Sequence, residues 1–153
     1  MDYPNFSAWL VRRWPRLAAR LARLHAGLVR LSGGRLRRFQ GAPMLVLRTV
    51  GRKTGRVRQT PTLYLRDDDR YVLVAANAAA RRTPGWYYNL IAAGEGEVIV
   101  EGRTIPVVAR EAKGEERQRL FERCVALYGG LTRYQEITAR EFPVVVLTPK
   151  RER

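Results

Sequence analysis

A chain of 153 residues, 46% hydrophobic and 28% charged, has room for one buried core and is too apolar for a disordered chain. One cysteine, Cys124, excludes an internal disulfide and a paired-cysteine metal site, and one histidine, His25, argues against Ser-His-Asp or Cys-His catalysis. The 29 Lys and Arg against 14 Asp and Glu leave a net charge of +15, which calls for an anionic partner: nucleic acid, a membrane surface or a polyanionic small molecule.

The first predicted element is a basic amphipathic helix. Leu10, Trp14, Leu17, Leu21, Leu24, Leu28 and Leu31 recur at steps of four and three, one apolar stripe at helical period. Arg12, Arg16, Arg20, Arg23 and Arg30 flank it, Pro15 predicts a kink or a fresh start, and Ser32-Gly33-Gly34 ends it. Residues 1–40 carry nine arginines against one acid, Asp2, so this quarter holds over half of the surplus charge. Such a helix suits an anionic membrane surface, or packs its stripe on the rest of the chain, and the two are compatible. His25, beside the stripe, reads as a packing or surface residue.

From Met44 the pattern turns to strands. Met44–Val50 and Val57–Leu65 flank the turn Gly51-Arg52-Lys53-Thr54-Gly55, and the polar turn Asp67-Asp68-Asp69, read as solvated, leads into Tyr71–Ala75. A loop over Asn77–Thr83 precedes a short helix at Pro84–Ala92, with Pro in its first turn. Glu97–Glu101 and Thr104–Arg110 form a second hairpin around Gly102-Arg103. Helices follow at Glu115–Tyr128 and about Thr132–Arg140, and Phe142–Thr148 is the closing strand. About six mainly antiparallel strands with helices inserted between hairpins predict an α+β fold around a small barrel. The chain divides into the amphipathic helix over 1–34 and a barrel domain over 35–150. No segment has the pattern of a signal peptide or a run of 18 apolar residues, so the expectation is a cytoplasmic protein, peripheral on the membrane face if the helix meets lipid.

Several chemistries lack their residues. No His or Cys spacing suits a metal, so no metal site is expected. The Walker and dinucleotide-binding glycine patterns are missing, and no stacking ladder among basic strands points to nucleic acid. A cofactor is then the natural source of chemistry, with the protein supplying position and field.

Two segments carry that expectation. Arg52, Lys53, Arg56 and Arg58 crowd one tight turn with Thr54 and Thr60, and like charges so close need an anion to offset their repulsion. Glycines such as Gly55 let backbone N–H groups approach that anion. A merely soluble basic hairpin is the bland alternative. In Pro84-Gly85-Trp86-Tyr87-Tyr88-Asn89-Leu90, Trp86, Tyr87 and an amide within four residues suit a flat ring with polar edges, or else the aromatics pack in the core of a short helix.

Taken in order, these segments resemble the deazaflavin-dependent nitroreductase family. The likeness runs from about Leu31 to Pro149: Leu31-Ser-Gly-Gly-Arg35, Gly-Arg-Lys-Thr-Gly with Arg58 and Pro61, Trp86-Tyr87-x-Asn89-Leu90, and Arg140-Glu-Phe-Pro-Val-Val-Val-Leu-Thr-Pro149. It implies a split β-barrel of the FMN-binding type and coenzyme F420, whose tail carries a phosphodiester and glutamates, in preference to flavin mononucleotide (FMN). By the same resemblance Arg52, Lys53, Thr54, Gly55 and Arg58 correspond to contacts with the tail and ring edge. Pro61, Val74 and Ala75 correspond to the groove under the ring, and Trp86 and Asn89 to the helix that closes over it. Tyr128 and Tyr134 correspond to tyrosines on the substrate side and are the catalytic candidates.

The chain departs from the family pattern where a hydroxyl and a lysine follow the third strand, here Ala76 and Asn77. Arg81 or Arg82 is the candidate substitute cation. Leu131 stands for a tyrosine and Ile137 for an aromatic, which predicts a more open, aliphatic substrate pocket. The implied activity is hydride transfer from reduced F420 to a small organic acceptor: a quinone, an enone or an activated nitro compound. The alternative is a split-barrel binding protein loaded with FMN, a haem-derived pigment or a lipid. Neither composition nor motif fixes the oligomeric state.

Overall fold

The computed structural model describes residues 38–39 and 42–151. The amphipathic helix expected over 1–34, with His25, lies outside the described residues. The strands are β1 (Arg38–Phe39), β2 (Ala42–Val50), β3 (Val57–Leu63), β4 (Leu65–Asp67), β5 (Arg70–Val74), β6 (Glu95–Val100), β7 (Arg103–Glu111) and β8 (Val144–Pro149). Three helices are inserted: α1 (Gly85–Ala93), α2 (Gly114–Leu127) and α3 (Gly130–Ile137), and a single 3₁₀ turn covers Asn77–Ala79.

All pairings are antiparallel, in the order β1-β2-β6-β7-β8-β5-β4, with β3 also on β2. Only Tyr64 separates β3, which pairs with β2, from β4 at the far end of this path, so the chain itself bridges from β2 round to β4. Where the pattern predicts one strand over Val57–Leu65, the structure bends it at Tyr64 and changes its partner. Leu63 pairs with Met44 of β2, and Leu65 pairs with Val72 of β5. Counted as one bent strand, β3 and β4 complete six strands that curl into a barrel, with a seam where β3 diverges from β5. Pro61 sits in β3 opposite Val46, with β2 as the paired neighbour. An edge strand tolerates proline because its missing N–H is not owed to a second neighbour.

Alternation along the strands builds two cores, since successive side chains point to opposite faces. Tyr71, Leu73, Val145 and Leu147 turn into the barrel with Leu45, Leu47, Val98 and Val107. Val72, Val144 and Val146 turn outward onto α2 and α3, meeting Leu120, Cys124, Leu131 and Phe142. Strand β8 is buried on both faces, which explains why it reads Val-Val-Val-Leu without alternation. Helix α1 lies against the barrel interior through Trp86 and Leu90, one turn apart. A Cβ on Gly96 would stand 2.9 Å from Leu90 Cδ1 and 3.0 Å from the Arg48 carbonyl oxygen, so that close approach requires glycine. Leu90 is fully buried, a contribution of roughly 1.5–3 kcal/mol. Asp68 and Asp69 of the acidic turn are exposed as read, and Asp67 departs from that reading. Asp67 is 5% exposed and pairs with Arg70 and with Arg123 of α2, which fastens that helix to the β4–β5 hairpin.

Candidate active site

The basic turn between β2 and β3 is closed by its own backbone. Gly51 N–H donates to the Arg56 carbonyl (2.8 Å), and Gly55 N–H donates to the Gly51 carbonyl (2.7 Å). A Cβ on Gly51 would meet Thr54 Oγ1 at 2.6 Å, so the turn can be this tight only with glycine there. Arg52, Lys53, Arg56 and Arg58 are exposed, and among the described residues none of the four pairs with a carboxylate. The first turns of α1 dock on this hairpin. Asn89 Oδ1 accepts the Arg52 N–H at 3.1 Å, and the Arg52 guanidinium lies 5.2 Å from the centre of the Tyr88 ring. Between them is a hollow of about 260 Å³ bounded by Arg52, Lys53, Thr54, Arg58, Tyr88 and Asn89.

The other side of the same helix borders a second space. A cleft of about 350 Å³ lies at the seam between β3 and β5, walled by Pro61, Leu63, Val74, Trp86, Leu131 and Tyr134, among others. It is mostly apolar, as a pocket for a flat organic molecule should be. Helix α1 thus touches the cleft through Pro84 and Trp86 and the basic hollow through Gly85, Tyr88 and Asn89. Strand β3 does the same, with Arg58 at the hollow and Thr60 to Leu63 along the cleft.

Two polar groups of the cleft, Tyr128 and Cys124, keep their protons. The hydroxyls of Tyr128 and Tyr134 are 3.4 Å apart and their rings meet edge to face, with centroids 6.3 Å apart. Burial first, and the Tyr134 hydroxyl second, hold the Tyr128 phenol well above its ordinary range, so it is a donor and not a base at neutral pH. Burial pushes the Cys124 thiol up to about 12, which removes it as a nucleophile although it lines the cleft.

One wall of the cleft is the turn after β5. Asn77, Ala78 and Ala79 have φ of 50°, 48° and 61°, a left-handed run without glycine. Asparagine tolerates this region, but Ala78 and Ala79 each cost about 1–2 kcal/mol there, so something must hold the run in place.

Of the candidate residues, the structure brings Arg52, Lys53, Thr54, Arg58 and Asn89 together around the hollow. It brings Pro61, Val74, Trp86, Tyr128 and Tyr134 together around the cleft. Two stand apart. Gly55 (φ 65°) shapes the turn without bordering the hollow. Ala75 is fully buried with the inner core, because it alternates with Val74 and Ala76, which do face the cleft. Tyr87 also departs from the ring-binding pair expected with Trp86: its hydroxyl donates to Glu111 at 2.8 Å, and burial with that carboxylate raises it to about 12. Arg81 and Arg82 border neither space, and among the described residues no side-chain cation lines the cleft beside Asn77. Leu131 lines the cleft as expected of a more aliphatic pocket, whereas Ile137 is exposed. Tyr88 was missed. It occupies the unassigned position in Trp86-Tyr87-x-Asn89, and one helical turn from Gly85 would have placed it beside the basic hairpin.

A barrel split beside one strand, with an aromatic cleft and an adjoining cationic hollow, defines the split-barrel reductases that use a flavin or deazaflavin. A sequence model of the F420H2-dependent quinone reductase family matches residues 21–149. The chain belongs to the F420H2-dependent quinone reductase family, and it is an oxidoreductase whose coenzyme is F420. It is 37% identical over 152 residues to an F420H2-dependent quinone reductase of Mycobacterium tuberculosis, covering 94% of this chain and 98% of that one. Among solved structures, it resembles an F420-H2 dependent reductase with TM-score 0.63 and 30% identity, over 69% of this chain and 93% of that one. A second, described as a domain-swapped dimer, superposes with TM-score 0.66 and 26% identity, over 84% and 98% of the two chains.

Proposed function

We propose that this protein reduces a quinone with reduced F420, binding the coenzyme tail at the basic turn and its ring in the adjoining cleft. The observation that carries this reading is the continuity of a hollow lined by three cations, Arg52, Lys53 and Arg58, with an apolar cleft across a single helix, α1. A coenzyme with a polyanionic tail on a flat ring has the same division of chemistry. Lys53 and Arg58 would hold the tail by charge-assisted hydrogen bonds, and Arg52, Thr54 and Asn89 would complete its seat. Pro61, Val74 and Trp86 would flank the ring. Bound F420, in its reduced form, supplies hydride.

The chain's own residues then do three things. The apolar walls exclude water and hold the acceptor against the ring, a proximity effect. Tyr134, backed by Tyr128, donates a hydrogen bond toward the oxygen that gains charge, or shields it while solvent supplies the proton. Cys124, held as a neutral thiol, stays out of the chemistry. A quinone is the first acceptor on this reading, and an enone or an activated nitro compound offers the same polarised oxygen.

The remaining proposals concern place and organisation. On the sequence pattern, a basic amphipathic segment over 1–34 precedes the barrel domain of 35–150. Its leucine stripe and arginine flank support reversible attachment to the cytoplasmic membrane face, where a lipid-soluble quinone is within reach.

The deciding experiment is a fluorescence titration with F420 beside FMN. F420 should bind more tightly, and salt should weaken it because the tail contacts are exposed. Equal or reversed affinity would refute the assignment of the basic turn.

A further inference from the structure

Arg140 belongs to no part of the site described so far, yet it touches the cleft wall from behind. Its guanidinium donates to the carbonyls of Ala75 (3.1 Å), Ala76 (2.7 Å) and Ala80 (3.3 Å) and to Thr83 Oγ1 (3.3 Å). The group lies over the ring of the buried Phe142, 4.8 Å from its centre. Among the described residues no carboxylate pairs with it, so a partly buried charge is satisfied by backbone dipoles and one hydroxyl. Burial lowers its pKa, as expected of a cation held without a counter-charge.

The three carbonyls bracket the left-handed run of Asn77, Ala78 and Ala79. On its own that run would relax toward negative φ, because its side chains crowd the following carbonyl. The turn's own bonds are two: Ala79 N–H to the Ala76 carbonyl and Ala80 N–H to the Asn77 carbonyl. The Asn77 side chain adds a third bond, to the Arg82 carbonyl at 2.9 Å. Arg140 grips both ends from outside the loop, across more than 55 residues of sequence. Only a planar fork of donors reaches acceptors on both sides of the turn at once, which lysine cannot do.

Ala76, Asn77 and Ala78 form cleft wall beside Pro84 and Trp86. We infer that Arg140 is a positioning residue: it holds the left-handed turn in place and so fixes the wall against which coenzyme ring and acceptor are packed. The inference rests on the reading of the cleft as the coenzyme and acceptor site. Strain held by an external clamp fits a site whose geometry must be fixed before the substrate arrives.

The test combines Arg140→Lys with Ala79→Gly. Ala79 is not part of the cleft lining, and glycine adopts its φ of 61° without strain. In Arg140→Lys, hydrogen exchange of residues 76–83 should quicken at least tenfold while the rest of the barrel keeps its protection. KM for a water-soluble quinone should rise at least fivefold, and the salt dependence of F420 binding should not move, because the basic turn is untouched. Adding Ala79→Gly should return KM to within about twofold of wild type, because it removes the strain at the residue next to the clamped Ala80 carbonyl and leaves the clamp less to hold. A purely structural arginine gives the opposite pattern: exchange quickens everywhere, and the glycine makes matters worse. Local exchange without a change in KM also overturns the inference. Wild-type protein that fails to bind F420 in the same titration would instead refute the reading of the cleft, and the exchange data would still decide whether Arg140 clamps the turn.

Discussion

The charges at the basic turn are the clearest case in which a single side chain can be tested. Lys53 and Arg58 border the hollow and have no carboxylate among the described residues, so they are free to meet an anion. Replacing either with alanine should weaken F420 binding by about 1.5–3 kcal/mol, the usual worth of a charge-assisted hydrogen bond. Both are exposed, so the melting temperature should stay near that of wild type. Calorimetry and fluorescence titration together check both halves. Tyr134 makes a different prediction, because it lies in the cleft 3.4 Å from the Tyr128 hydroxyl. Tyr134→Phe should lower kcat about tenfold, the equivalent of one hydrogen bond, with little change in coenzyme affinity. Unchanged turnover would leave that ring a packing role only.

Among the elements, the attachment of α2 to the β4–β5 hairpin depends on one carboxylate. Asp67 is paired with Arg123 on the helix and Arg70 on the hairpin, and those partners, Arg123 foremost, hold its pKa below the ordinary value of 3.8. The unfolded chain therefore takes up this proton more readily than the folded one. The stability from Asp67 is complete above the ordinary value and is lost as pH falls through the depressed one. Asp67→Asn should cost about 1.5–3 kcal/mol at pH 7, and the gap to wild type should narrow steadily below pH of about 4. Thermal melts across pH 2 to 7, run as a pair, read this directly. A gap that stays constant with pH would mean that the loss comes from packing and not from charge.

For the whole molecule, the prediction concerns the leucine stripe and arginine flank read in residues 1–31. Several arginines near an anionic surface contribute on the order of 1 kcal/mol each, enough for reversible attachment without insertion. A chain lacking residues 1–31 should stay folded, keep its F420 affinity and cease to sediment with anionic vesicles. Sedimentation of the intact chain should fall with added salt. If truncation instead melts the barrel, and the intact chain never sediments, the stripe packs on the barrel.

What the sequence determined by itself follows from local rules. The short apolar run of Tyr71 to Ala75, the helical period of Glu115 to Tyr128 and the glycine-bearing turns set the elements, because run length, period and turn residues follow from backbone geometry. The density of cations between Thr49 and Arg58 marked a candidate anion site for a similar reason: charge so concentrated calls for a partner wherever the turn ends up. Tertiary structure alone decided three matters. The bend at Tyr64 exchanges one partner strand for another, and nothing within the segment records which strands lie beside it. Asp67 reads as a solvated turn residue until α2 carries Arg123 over it from 56 positions away. Ala75 and Val74 sit side by side in the sequence, yet one is core and the other cleft wall. That division exists only because the barrel closes on one face of β5 and splits open on the other. Arg140, too, gained a role only when folding brought its guanidinium to a turn more than 55 residues earlier, since a contact at that range leaves no periodicity to read.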